Sequence, residues 1–181
     1  MAIKTQNPQG TFLFLGDFYI ANYDWQSRMP FFLVHRCGVK DEKVNGLLAR
    51  LPEVETIVHQ PDIILIMSGM NNVVEHDYTF VNQLRRIVIR LTEHFPETEI
   101  IVNGLPLARI PVVVDNAIHH LNLHIKEMAK QTGSCYLDNF DIQALKGYPI
   151  FKENGIDLTL EAYDRWARSI LEYVSFLFED D

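Results

Sequence analysis

Five short hydrophobic runs divide the chain, at residues 11–15, 31–35, 62–67, 99–103 and 135–137. They are rich in Val, Ile, Leu or Phe and show no regular polar alternation. Such runs are typical of β-strands that are covered on both faces, because the side chains on both faces must then be apolar. The pattern therefore predicts five buried strands.

Between these runs, apolar residues recur at the spacing of helix turns. Long patterns of this kind cover residues 77–95, 112–131 and 160–178, and a shorter one covers residues 42–51. The first pattern ends at Pro96, and the second stops at Gly133, which is a favourable C-terminal cap. The alternation predicts an α/β fold, a three-layer α/β/α sandwich of flavodoxin-like order with about five parallel strands.

The expected position of a functional site follows from this fold. A length of 181 residues is that of one domain, and no linker or internal repeat divides it, so we expect a single domain over residues 1–181. In an open parallel sheet, ligands bind beyond the C-terminal ends of the strands. Those ends are predicted at residues 16–17, 36–41, 68–72 and 104–107.

Charge and hydropathy exclude some classes of partner. The net charge is −8 and no basic run occurs, which argues against nucleic acid or an anionic membrane as the main partner. The longest apolar run, at residues 63–70, is too short to cross a bilayer. Since the polar N-terminus lacks a hydrophobic signal segment, we expect a cytoplasmic location.

The sequence motifs indicate no cofactor and no metal. A phosphate-binding glycine loop is absent. His120 and His124 have a spacing that can place two imidazoles on one helix face, but no acidic or cysteine residue stands at a motif-like distance. Cys37 and Cys135 show no CxxC spacing, and we expect two reduced, largely buried thiols.

Four segments, taken in order, resemble the signature segments of the SGNH (GDSL-type) hydrolases. They are FLGDFYI (the GDS segment), VHRCGVKDEKVNGLLARL (the oxyanion-glycine segment), PDIILIMSGMNNV (the GxND segment) and NGIDLTLEAYDRWA (the DGxH segment). The resemblance extends over nearly the whole length of the chain, from the first segment at residue 14 to the end of the last at residue 167. The resemblance implies the fold of these hydrolases, with a site formed where the four segments meet.

The same resemblance implies that all three positions of the Ser-His-Asp triad are substituted. The serine falls on Phe18, the histidine on Asp157 and the aspartate on Asn154. Phenylalanine has no nucleophilic oxygen, so no acyl-enzyme can form at that position. An aspartate is a poor general base at neutral pH unless burial raises its pKa. The ordinary serine-esterase mechanism is therefore excluded at this site.

The oxyanion-hole positions are retained in part. The asparagine that donates to the oxyanion falls on Asn71, which follows Gly69 as in the family. The oxyanion-hole glycine falls near Asp41, and Gly38 lies just upstream. The resemblance therefore implies one side-chain donor without a matching backbone donor from glycine.

Three other residues are candidates for a displaced nucleophile. We interpret Ser68 as a strand-end serine that bonds to the backbone, Cys37 as a structural thiol, and Tyr19 as part of a pocket wall. For Cys37, His35 lies two residues earlier and is expected on the same face of the strand, but the sequence places no histidine reliably beside the thiol.

Two functions stay open at this point. The first is a non-catalytic binding or regulatory module that binds an acyl or sugar ligand or a protein partner, with an aromatic floor made by Phe18 and Tyr19. Its expected ligand-binding residues are Asp17, Phe18, Tyr19, Gly38, Asp41, Gly69 and Asn71. The alternative is an ester, thioester or glycan-ester hydrolase in which Asp157 activates water and Asn71 stabilises the oxyanion.

Overall fold

The computed structural model describes residues 8–111, 113–138 and 149–179, and this part of the chain forms one parallel sheet flanked by helices. The strands are β1 (Gly10–Gly16), β2 (Phe32–Gly38), β3 (Ile63–Met67), β4 (Glu99–Asn103) and β5 (Cys135–Leu137). Their order across the sheet is β2-β1-β3-β4-β5, and every neighbouring pair is parallel. The predicted flavodoxin-like order is confirmed.

The helices have the following bounds: α1 (Phe18–Ala21), α2 (Trp25–Arg28), α3 (Val44–Ile57), α4 (Met70–Val74), α5 (Val81–His94), α6 (Ala117–Thr132) and α7 (Leu160–Glu179). α3, α5 and α6 pack side by side, whereas α2 contacts α7. Within the described ranges, no helix combines the length and the apolar character that a membrane crossing requires.

Three helix boundaries differ from the prediction for identifiable reasons. α3 continues past Pro52 to residue 57, because the turns that follow bury Val54 against the core. α5 begins four residues later than predicted, because the Asp77 side chain accepts a hydrogen bond from the Thr79 N–H and forms a turn there. α6 begins at Ala117, and residue 112, its predicted start, lies outside the described residues.

The core is densest around the two central strands. Every side chain from Phe12 to Leu15 in β1 and from Ile63 to Met67 in β3 is fully buried, as the absence of polar alternation predicts. On one face, Phe14 stacks on Trp25 with ring centroids 4.4 Å apart, and Trp25 meets Trp166 edge to face at 4.8 Å. These aromatic contacts hold α2 and α7 against the sheet.

The end of β1 comes very close to the end of β3. Gly16 pairs with Gly38 of β2 on one side and with Met67 of β3 on the other. A Cβ atom at Gly16 would overlap the carbonyl oxygen of Met67, which is backbone and cannot move aside. The site at this edge of the sheet therefore requires a glycine here.

We predict that Gly16→Ala lowers the free energy of unfolding by about 3 kcal/mol, because the new methyl group displaces a central strand. The matched control is Gly133→Ala at the end of α6, where nothing lies within 4 Å and only the left-handed backbone conformation is unfavourable, at about 1 kcal/mol. Urea denaturation measures both values. Equal losses in the two variants would contradict this account of Gly16.

Candidate functional site

Asp17 stands at the centre of the strand-end edge and joins two neighbouring segments. Its carboxylate accepts a hydrogen bond from the Tyr19 N–H (3.2 Å), which caps α1, and another from the Met70 N–H (3.3 Å), at the start of α4. The side chain is fully buried. Asp17 therefore holds the turn after β1 against the turn after β3, and it offers no surface to a ligand.

The burial of Asp17 has an electrostatic cost. Desolvation raises the pKa of its carboxyl group from 3.8 to about 7, although the N–H groups of Tyr19, Met70 and Gly69 counteract the shift. The negative charge of Glu42 adds to the increase in pKa. Near neutral pH, the group therefore exists as a mixture of its protonated and ionised forms.

Phe18 occupies the serine position at the first residue of α1. Its ring is half-buried and lies against the ring of Tyr19, with centroids 4.1 Å apart. Tyr19 is fully buried, and its hydroxyl donates to the Ile156 carbonyl oxygen at 2.7 Å. Of the two residues expected to form an aromatic floor, Phe18 alone has exposed surface, and Tyr19 anchors the segment at residue 156.

Asn71 holds the loop between β2 and α3. Its amide nitrogen donates to the carbonyl oxygens of Lys40 (2.9 Å) and Glu42 (2.8 Å). An amide group has two N–H bonds, and both are engaged here. Asn71 could therefore act as an oxyanion donor only if one of these hydrogen bonds broke, and the predicted role stays a prediction.

Asn72 also binds the segment that connects β2 to α3, from a buried position. It is fully buried, accepts a hydrogen bond from the Val44 N–H at the start of α3 (3.0 Å), and donates to the Asp77 carboxylate (2.8 Å). On the surface, the Lys43 ammonium pairs with Glu75 at 2.7 Å. The loop from residue 39 to residue 43 is thus fixed to the α4 region by several bonds.

The glycines expected at the site serve close packing. A Cβ atom at Gly38 would lie 2.5 Å from the backbone nitrogen of Ala21, so α1 rests directly on the end of β2. Gly69 has a φ of 132° and faces the ring of Phe80, which a Cβ would also meet at 2.5 Å. Asp41 is exposed on the loop between β2 and α3.

The two remaining triad positions lie in a hairpin, at residues 150–159. Asn154 accepts hydrogen bonds from the N–H groups of Ile156 (3.1 Å) and Asp157 (2.9 Å), so its side chain shapes the turn. Phe151 and Leu158 pair as an antiparallel bridge, and the Lys152 N–H donates to the Asp157 carbonyl oxygen at 2.7 Å. Asn154 acts here as a turn residue.

Asp157 opens onto a pocket of about 310 Å³, here called the hairpin pocket. Its lining residues are Asn22, Lys152, Asp157, Leu158 and Tyr163. The sequence analysis missed Asn22 and Lys152 as site residues. The available signal was the Asn-Gly pair at residues 154–155, which is typical of a hairpin turn and would have placed Lys152 opposite Asp157.

The displaced nucleophiles have no base in the described part of the chain. Ser68 is buried, and its hydroxyl has no hydrogen-bond partner there, so the prediction that it bonds to the backbone is wrong. Cys37 is half-buried rather than largely buried, and burial raises the pKa of its thiol, which disfavours the reactive thiolate. Cys135 is also free and half-buried. The described residues contain no group of three His, Cys, Asp or Glu side chains able to bind a metal ion.

The titration of Asp17 generates a prediction about stability and pH. Because its pKa is about 7 in the folded state and 3.8 ordinarily, the folded state holds more protons than the unfolded state between these values. Stability due to this group is therefore present at low pH and is lost as the pH rises towards 7. The difference between the two pKa values corresponds to a change of about 4 kcal/mol in the free energy of unfolding.

Asp17→Asn has no titrating group at this position. We predict that its free energy of unfolding, relative to that of the wild type, increases by about 4 kcal/mol as the pH rises from about 4 to about 8. Chemical denaturation of both proteins across this range measures the difference. Other carboxylates contribute equally to both proteins and cancel. A constant difference across the range would show that Asp17 titrates near its ordinary pKa.

Comparison with known proteins identifies the fold through structure alone. No protein-family model matches the chain, and no curated protein matches it in sequence. A solved structure from Streptococcus pneumonia, provisionally named a platelet activating factor, is 19% identical, with a TM-score of 0.77 over 94% of this chain and 86% of that one. Axe2, an acetylxylan esterase from Geobacillus stearothermophilus, is 19% identical, with a TM-score of 0.69 over 93% of this chain and 95% of that one.

A third similar structure is BT4096, described as a gut microbial diltiazem-metabolizing enzyme. It is 17% identical, with a TM-score of 0.68, and the match covers 94% of this chain and 48% of BT4096. At sequence identities of 17–19%, these matches show that the fold is shared, but they do not show the activity of this chain. The five-stranded parallel sheet and these neighbours together show that the chain has the SGNH hydrolase fold.

Proposed function

We propose that this chain is a non-catalytic binding or regulatory module, a pseudoenzyme on the SGNH hydrolase fold. One observation carries the proposal: the polar side chains around Phe18 are bonded inward to the protein's own backbone. Asp17 and Asn71 bind backbone groups of neighbouring turns, and Asn154, at the triad aspartate position, accepts hydrogen bonds from the N–H groups of its own turn. A hydrolase needs such groups directed at the substrate, where charge develops in the transition state.

The edge of the sheet around Phe18 supports a binding role. Three exposed valines lie in the segments that follow β2, β3 and β4: Val39, Val74 at the end of α4, and Val114, at 45%, 38% and 75% exposure. The C-terminal ends of parallel strands share one edge. Apolar side chains exposed there are suited to an acyl chain or to the apolar part of a protein partner.

A hydrolase that uses water is the second candidate, and Asp157 is the observation that favours it. Its carboxylate lines the open hairpin pocket and makes no side-chain hydrogen bond to any described residue. An aspartate in this situation could accept a proton from water. The acetylxylan esterase Axe2 shares the fold, and esters are therefore the substrates to test for this second candidate.

We predict no hydrolysis above a protein-free blank when short- and long-chain p-nitrophenyl esters and matching thioesters are incubated with the purified protein. Phe18 supplies no nucleophile, and both N–H bonds of the Asn71 amide are engaged elsewhere. Product release followed by absorbance measures turnover. The Asp157→Ala variant is expected to match the parent.

The outcome that contradicts the proposal is turnover by the parent that disappears in Asp157→Ala. The matched control is Glu153→Ala, which removes an exposed carboxylate from the same hairpin outside the pocket. Turnover that Asp157→Ala abolishes and Glu153→Ala preserves would establish Asp157 as a water-activating base. The chain would then be an esterase with a relocated mechanism.

A further inference from the structure

The hairpin pocket, which includes Asp157 at the triad histidine position, differs from the surroundings of Phe18 in how its polar groups are bonded. Around Phe18, the polar side chains bind the backbone. In the hairpin pocket, the side chains of Asn22, Lys152 and Asp157 make no hydrogen bond or ion pair with any residue in the described ranges. Polar groups that face a concave space and lack internal partners are the usual feature of a binding site.

The walls of the pocket are fixed by bonds that do not use these groups. The backbone of Lys152 is bonded to that of Asp157, and the turn between them is shaped by Asn154. The Tyr19 hydroxyl donates to the Ile156 carbonyl oxygen and ties the hairpin to α1. The pocket is therefore preformed, which lowers the entropy lost when a ligand binds.

Leu158 and Tyr163 form the apolar floor of the hairpin pocket, and packing against the protein fixes both side chains. Leu158 is buried, with 2% of its surface exposed, and the Tyr163 ring stacks on Tyr23, with ring centroids 4.7 Å apart and planes 7° from parallel. Burial, together with the charges of Asp17 and Asp157, raises the pKa of the Tyr163 hydroxyl. The hydroxyl thus stays protonated at neutral pH and can donate a hydrogen bond.

The charges that line the pocket define the ligand. Lys152 contributes a positive charge and Asp157 a negative charge, and the two do not lie within the 4.0 Å of an ion pair. A molecule that carries a carboxylate and an ammonium group could satisfy both. The volume of about 310 Å³ is near the lower end for ligand pockets, which suits a compact molecule.

We infer that the hairpin pocket binds a compact zwitterion of the free α-amino acid class. The ligand carboxylate accepts hydrogen bonds from Lys152 and the ligand ammonium donates to Asp157, while Asn22 contacts either group. Leu158 and Tyr163 form the apolar surface beneath the ligand. The inference rests on the proposed binding function and specifies its ligand.

The test is isothermal titration calorimetry of the whole chain with a panel of free amino acids of different side chains. At least one member is expected to bind with a stoichiometry of about one, as binding at the hairpin pocket alone requires. For that amino acid, the matching amine and the matching carboxylic acid, which each lack one charged group, are expected to bind about 10- to 100-fold more weakly.

Three variants locate the binding. Asp157→Asn and Lys152→Gln are each expected to weaken binding of the same amino acid by about 10- to 100-fold. Glu153→Gln, on the same hairpin but outside the pocket, is expected to leave the affinity unchanged. Circular dichroism establishes that each variant is folded before titration.

Other outcomes overturn the inference and separate it from the proposed function. If no amino acid binds, or if binding is unaffected by both pocket variants, the hairpin pocket is not a zwitterion site. Binding that is lost in Phe18→Ala and retained in Lys152→Gln would place the ligand above Phe18 and leave the binding function standing. Hydrolysis of an amino-acid ester that requires Asp157 would instead contradict the non-catalytic function.

Discussion

The buried carboxylate of Asp17 is the constraint on which this edge of the molecule depends. It accepts hydrogen bonds from the N–H groups of Tyr19, after β1, and Met70, after β3. These bonds connect two turns that would otherwise be joined only through the sheet. Gly16 permits the close approach, and Gly38 lets α1 rest on β2. The price is a desolvated carboxyl group whose pKa is raised towards neutrality. The strand ends are therefore held in place by a group that itself resists ionisation.

The asparagines of the signature segments make hydrogen bonds that support the structure. Asn71 and Asn72 both lie in the third signature segment, and together they bind the loop between β2 and α3 to the start of α4. Asn154 likewise shapes the hairpin turn. The amides of Asn71 and Asn72 are half-buried and buried, and such groups must find hydrogen-bond partners, which other parts of this chain supply. These bonds maintain the geometry of the loop between β2 and α3.

Much of the fold could be predicted from the sequence, because hydrophobic runs and their spacing determine strands directly. β4 and β5 have the predicted bounds, Glu99–Asn103 and Cys135–Leu137, and the strand order follows from the alternation. Helix ends were less predictable. The continuation of α3 through Pro52 depends on the burial of Val54, which is a tertiary contact.

The site was predictable in position and not in bonding. The signature segments locate Phe18, Asn71 and Asp157 along the chain, but residue types do not show whether an amide faces a cleft or a carbonyl oxygen. The full burial of Tyr19 could not be predicted, because it depends on tertiary packing. The Asn-Gly pair indicates the hairpin turn, but the bond that joins the hairpin to α1 runs from the Tyr19 hydroxyl to the Ile156 carbonyl oxygen, far apart in sequence, and no local pattern predicts it.

The most direct measurement of the central claim is hydrogen exchange of the Asn71 side-chain amide by ¹⁵N nuclear magnetic resonance. The exposed side chain of Asn22 provides an internal reference, because it has no hydrogen-bond partner in the described residues. If both N–H bonds of Asn71 are bound to the carbonyl oxygens of Lys40 and Glu42, its amide protons exchange at least tenfold more slowly than those of Asn22, as expected when exchange requires local opening. Equal exchange rates would show that the Asn71 amide is free to face a substrate, and would contradict the account.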